Sequence, residues 1–136
     1  MKIKKLLTDK KKEPLTIPPD ASVNDALKMM KKEKRDALVV VEEKKVLGIL
    51  SKGNLGRKLI LKQKRSKRTL VREAMTSNVA HVTPNQKVRI CLSLMIKNRL
   101  NHIPVLQKDQ LVGLLSIEDL QKLTSQDGQA KAKKRG

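Results

Sequence analysis

The residues of this chain best placed to do chemistry are two pairs at one spacing, Ser51 with Asn54 and Ser116 with Asp119. At the start of a helix, a serine followed three residues later by an acidic or amide side chain forms a capping box, in which each residue satisfies a backbone N–H of the other. A serine at a helix start also stands beside outward-pointing backbone N–H groups, which suit an anion such as phosphate. Local pattern leaves both readings open. Other chemistry has less support. His81 has no serine or cysteine partner at a recognisable spacing, so nucleophilic catalysis lacks its parts. Cys91 is the only cysteine, and no Cys/His cluster has metal-ligand spacing, which removes disulfide and zinc readings.

Both pairs occupy equivalent points of a repeat. The chain aligns with itself at an offset of 65 residues without a gap, bringing Pro19 onto Pro84, Val23 onto Val88, Met30 onto Met95, Gly48 onto Gly113 and Leu55 onto Leu120. Self-similarity of this kind settles architecture before any single element does. In the first copy Ser22 and Asp25 form a capping box ahead of Val23, Ala26, Leu27 and Met30, the i, i+3, i+4, i+7 face of a helix. Val88, Cys91, Leu92 and Met95 repeat that face, so Cys91 and the methionines are expected in the core, where Met fills aliphatic gaps. Two short strands follow each helix, over 37–41 and 46–50, then over 103–106 and 111–115, with polar turns between them. A second helix starts at Ser51 or Ser116, and a short extended lead-in covers 15–17 or 81–83. The predicted class is α/β: two βαββα repeats packed pseudo-symmetrically. The expected organisation is a basic N-terminal segment (1–12), first repeat (13–60), basic connector (61–74), second repeat (75–123) and disordered basic tail (124–136).

A chain of 136 residues holds about one domain, so the copies must share a core. The formal net charge of +19 attracts polyanions without choosing among nucleotides, nucleic acid and anionic surfaces. The stretch from Arg57 to Arg72 contains no acidic residue before Glu73, and reads as a solvated linker or as the lip of an anion site. No run approaches the ~18 apolar residues of a membrane span, and no apolar secretory segment follows the N-terminal lysines. The expected compartment is the cytoplasm, with no membrane partner. Phe, Trp and Tyr are absent, so the core must be aliphatic; a reduced or engineered residue alphabet would produce this composition.

The two copies resemble paired cystathionine-beta-synthase-type (CBS) domains, also called Bateman modules, of the small stand-alone bacterial type. The resemblance covers about residues 13–123. It is carried by Thr16-Ile17-Pro18-Pro19-Asp20, Ala37-Leu38-Val39-Val40-Val41 and Gly48-Ile49-Leu50-Ser51-Lys52-Gly53-Asn54. In the second copy the matching runs are Val82-Thr83-Pro84-Asn85, Asn101-His102-Ile103-Pro104-Val105-Leu106 and Gly113-Leu114-Leu115-Ser116-Ile117-Glu118-Asp119. The resemblance implies a regulatory, non-enzymatic module that binds AMP, ADP, ATP, NAD or S-adenosylmethionine between its repeats, dimerises, and signals to a regulated protein. The adenine nucleotide is then a regulatory ligand and no catalytic cofactor is implied. One implied site joins Ser116 and Asp119 to Leu15, Ile17, Asp36, Ala37 and Leu38. The other joins Ser51 and Asn54 to Thr76, Val79, Asn101, His102, Ile103 and Pro104. Arg57 and Lys58 match a basic pair that would lie near phosphate. Asp119 carries a charge that Asn54 lacks, so the Ser116/Asp119 site is expected to hold ribose better. Relatives usually have an aromatic residue where Leu55 stands, and often another near Leu15.

Two other readings compete. The basic surface would bind RNA or DNA through counterion release, though the chain lacks aromatic stacking platforms. A CBS scaffold that has lost its ligand would also fit the missing rings. His102 reads either as a donor to adenine or as a half-exposed strand histidine.

Overall fold

The computed structural model describes residues 1–10, 13–61 and 67–123, with the backbone alone for Lys10 and for residues 57–61. In chain order the elements are α1 (Ile3–Lys10), β1 (Thr16–Ile17), α2 (Val23–Glu33), β2 (Ala37–Glu42), β3 (Lys45–Ser51) and α3 (Lys52–Leu61), then α4 (Val71–Ala74), β4 (Thr76–Ser77), α5 (Val88–Lys97), β5 (His102–Gln107) and β6 (Gln110–Ser116). A last helix, α6, covers 117–123. This is the expected α/β architecture. The tail over 124–136 and residues 62–66 of the connector lie outside the described residues.

The apolar spacing acts as expected. Val23, Ala26 and Met30 are the buried face of α2, and Val88, Cys91 and Met95 that of α5. Ser22 accepts the Asp25 N–H at 3.0 Å and so starts α2. The two hairpins share one register, Val40 opposite Gly48 and Val105 opposite Gly113, each with a bulge at the next residue. Both turn through two residues of positive φ, Glu43 and Lys44 at 50° and 67°, Lys108 and Asp109 at 51° and 64°. That sense of turn matches the twist of paired strands.

The repeats differ at their lead-in segments. In the first, β1 runs parallel to β2 in a four-stranded sheet of order β1-β2-β3-β4. In the second, Val82 makes one parallel bridge to Val105 beside the β5-β6 hairpin. The cause is local. The Val39 N–H donates to the Leu15 carbonyl at 2.9 Å, and its counterpart Pro104 has no N–H to donate.

Residues 1–12, read above only as a basic segment, contain α1. Its Ile3 and Leu6 enter the second repeat's core with Val88, Cys91, Met95, Ile103, Leu115 and Leu120. Backbone bonds anchor it, Ile3 N–H to the Gln86 carbonyl and Val88 N–H to the Met1 carbonyl, both at 2.9 Å. The connector contains the equivalent device. Val71 and Ala74 of α4 join the first repeat's core with Ile17, Val23, Met30, Leu38, Leu50 and Leu55, so the copies have two cores and not the shared one expected, each completed by a helix from outside its repeat. Val23 N–H donates to the Thr69 carbonyl and Val71 N–H to the Ala21 carbonyl, both at 2.8 Å, and the Arg72 guanidinium pairs with the Asp20 carboxylate. Leu55 and Leu120 are 1% and 0% exposed. Each buries a branched chain worth roughly 1.5–3 kcal/mol in an aliphatic core. Burial pushes the Cys91 thiol up to about 11, so it remains a protonated, inert core residue near neutral pH.

Candidate functional site

Each Ser pair lies where the second strand of a hairpin becomes a helix. Ser51, opposite Ala37, ends β3, and Ser116, opposite His102, ends β6. The loop before each hairpin satisfies a helix-start donor: Lys52 N–H bonds to the Asp36 carbonyl and Ile117 N–H to the Asn101 carbonyl, both at 2.8 Å. Other first-turn donors need side chains, water or a ligand. At the second site Ser116 Oγ accepts the Asp119 N–H at 3.1 Å, and Asp119 Oδ2 accepts the Ser116 N–H at 3.2 Å. That is a full reciprocal box, so the local reading describes this pair. At the first site Ser51 Oγ accepts the Asn54 N–H at the longer distance of 3.4 Å.

A cavity of about 70 Å³ opens beside Ser51 and Asn54. Thr76, Val79, Asn101 and His102 complete its wall, so both repeats contribute. Position in the sheets explains the gathering. Thr76, on β4, pairs with Ile49 on β3, which carries the chain entering the second repeat across to the first repeat's hairpin. β3 packs against β6, bringing the start of β5 to the same place. Ile103 and Pro104, expected beside His102, are buried. Ile103 and Leu38 lie in the two cores at 0% exposure, and Ile17 lies there at 3%. The side chains of these three are therefore committed to packing, and what they offer a cleft is backbone. Ala37 is also buried, while Asp36 is exposed. Arg57 and Lys58 fall in α3, on the helix that starts beside Ser51.

Three wall residues were not among the sequence candidates: Ile49, Arg99 and Leu100. The first lies inside the Gly48 to Asn54 motif and could have been read from it. Arg99 could have been found from its place just beyond the predicted helix, since such positions face the next strand's start. It is the one fully charged side chain among the described wall residues, and none of them is a carboxylate. A larger open depression of about 530 Å³, lined by Glu13, Thr16, Val41, Lys44 and Leu111 among others, contains no member of either Ser pair. The smaller cavity is the one that gathers residues of the Ser51 pair and of both repeats.

The CBS domain family model matches residues 5–60 and 71–125. The chain is 38% identical over 106 residues to the CBS domain-containing protein CBSX3, mitochondrial, of Arabidopsis thaliana, covering 74% of this chain and 52% of that protein. It thus spans about half the length of that relative, and 19% of the longer Arabidopsis protein CBSCBSPB3. Among solved structures, the CBS domain NE2398 superposes with a TM-score of 0.86 at 38% identity, covering 91% of this chain and 97% of that one. The CBS domain pair of MJ0100, solved in complex with 5′-methylthioadenosine and S-adenosyl-L-methionine, gives a TM-score of 0.81 at 25% identity, covering 93% and 98%. With both repeats matched and the paired fold reproduced, the chain belongs to the CBS domain family as a tandem CBS pair.

Proposed function

We propose that this CBS pair is a regulatory module that takes an adenosyl ligand, of the AMP, ADP, ATP, NAD or S-adenosylmethionine class, between its repeats and does no chemistry on it. The observation that carries the reading is the cavity at Ser51, whose wall is drawn from both repeats and includes six of the residues that the family resemblance implies. The Asn54 amide can donate to and accept from ribose hydroxyls, and Asn101 and His102 offer polar groups for an adenine edge. At about 70 Å³ the cavity is smaller than the ~300–1,000 Å³ of pockets that enclose a whole ligand. Binding therefore widens it or leaves the phosphate end outside it, and the family resemblance assigns Arg57 and Lys58, which follow on α3, to that phosphate. The Ser116/Asp119 cleft is the second site of the reading. A carboxylate offers about four acceptor positions, of which the cap bond to the Ser116 N–H takes one. The solved MJ0100 pair, with two adenosyl compounds in its complex, supports the same ligand class.

The reading includes a homodimer, for which Ile90 and Ile96 on α5, 53% and 57% exposed, offer apolar contact, and a protein partner that responds to ligand occupancy. It also places the chain in the cytoplasm. Among the described residues no helix is long and apolar enough to cross a membrane, although the relative CBSX3 is named as mitochondrial.

Calorimetric titration with AMP, ATP, NAD and S-adenosylmethionine tests the reading on the parent, Asn54→Ala and Asp119→Ala. At least one adenosyl compound is expected to bind, with Asn54→Ala weakening it about tenfold, the loss of roughly one to two hydrogen bonds. Binding unchanged in both variants would remove the ribose assignment. Tight binding of an RNA or DNA oligomer at physiological salt, with every adenosyl compound failing, would replace the reading with polyanion binding.

A further inference from the structure

Two helix ends in this molecule are finished in an unusual way. Beyond α5, Leu100 N–H donates to the Met95 carbonyl at 2.8 Å and Arg99 N–H to the Ile96 carbonyl at 3.2 Å. Beyond α2, Arg35 N–H donates to the Met30 carbonyl at 2.9 Å and Lys34 N–H to the Lys31 carbonyl at 3.4 Å. These are the paired bonds of a Schellman ending, whose left-handed residue is ordinarily glycine. Here it is Arg99, with φ 53°, and Lys34, with φ 55°. Glycine would take this conformation without the penalty that a Cβ brings. Attraction to the helix C-terminus does not require a base at that residue, because Lys97 already stands in the last turn of α5.

Arg99 also lines the Ser51 cavity, where it is the one full charge among described wall residues that include no carboxylate. The equivalent positions around the other Ser pair carry Asp119 in place of Asn54, Asp36 in place of Asn101 and Lys34 in place of Arg99. Two carboxylates against one base there, and one base without a carboxylate here, give these matched positions opposite net sign. From this we infer that Arg99 makes the Ser51 cleft selective for adenosine carrying a phosphate over its neutral 5′-thioether and unsubstituted forms. The inference rests on the adenosyl reading above and specifies the ligand class within it. A guanidinium at the mouth meets a 5′-phosphate with charge-assisted, bidentate hydrogen bonds and gives a neutral 5′ end nothing comparable.

The test is calorimetric titration of AMP, adenosine and 5′-methylthioadenosine into the parent and into Arg99→Gly and Arg99→Gln. Amide NMR shifts at residues 51–54 identify the occupied cleft. Arg99→Gly removes the charge and also relieves the backbone, so it retains the fold; Arg99→Gln removes the charge and retains a side chain. In the parent, AMP is expected to bind this cleft at least tenfold more tightly than the two neutral compounds. Both variants should lose most of that preference, with the neutral compounds changed by less than about twofold. Equal affinity of AMP and methylthioadenosine in the parent overturns the inference while leaving the adenosyl reading standing, as does a preference that survives both substitutions. Failure of all three compounds to shift residues 51–54 overturns the inference together with the reading of this cleft.

Discussion

The two repeats carry the same elements at a constant offset, yet each is completed by a different piece of chain. The first takes its extra helix from the connector, α4, and continues it into β4, which pairs with β3 and brings Thr76 and Val79 to the Ser51 cavity. The second takes α1 from the N-terminus, and that segment stays helical to Lys10. Gly48 and Gly113 record the difference. A Cβ on Gly48 would stand 2.5 Å from the Thr76 carbonyl oxygen and 3.0 Å from Met75 Sδ, whereas one on Gly113 would run into the end of the Leu7 side chain. The repeat supplies a frame, and a different segment lies against the glycine of the second hairpin strand in each copy.

The comparison is tested most severely at the helices that complete the cores. Ile3→Ala should destabilise the chain by about 2–5 kcal/mol in urea unfolding, as expected for truncating a core isoleucine; a loss below about 0.5 kcal/mol would show that α1 is not part of the second core. Next come the two glycines. Gly48→Ala should cost about 1–3 kcal/mol, because the obstructing atom is backbone held in a sheet. Gly113→Ala should cost under about 1 kcal/mol, because the end of Leu7 can turn aside; equal losses would erase the distinction. The smallest effect concerns the caps. Asn54→Asp should complete at α3 the box that Asp119 makes at α6 and raise stability by about 0.3–1 kcal/mol. A lower melting temperature would mean that the first turn of α3 is arranged differently from that of α6.

Much of this was legible in the residues. The offset set the repeat, the i, i+3, i+4 faces set α2 and α5, and the Gly-to-Asp and Gly-to-Asn spacings located both helix starts. The resemblance gathered Ser51, Asn54, Thr76, Val79, Asn101 and His102 into one group, and these residues share a cavity wall. Short elements were less legible. The apolar positions of α1, Ile3, Leu6 and Leu7, stand among lysines over barely two turns, and α4 has four residues. Neither is long enough for periodicity to stand out, and both owe their helical state to packing against a partner distant in sequence.

The ranking of the two clefts also depended on tertiary structure. Charge at Asp119 placed the Ser116 cleft first, and to that comparison the structure adds a described cavity with Arg99 in its wall at the Ser51 cleft. By itself the sequence determined the repeat, the class of each long element and the Ser pairs, because these depend on spacing along the chain. Only the tertiary structure decided which segment completes each core, which side chains remain for a ligand and which cation stands at the cleft, because burial and approach across the sheets are set by residues far apart in sequence.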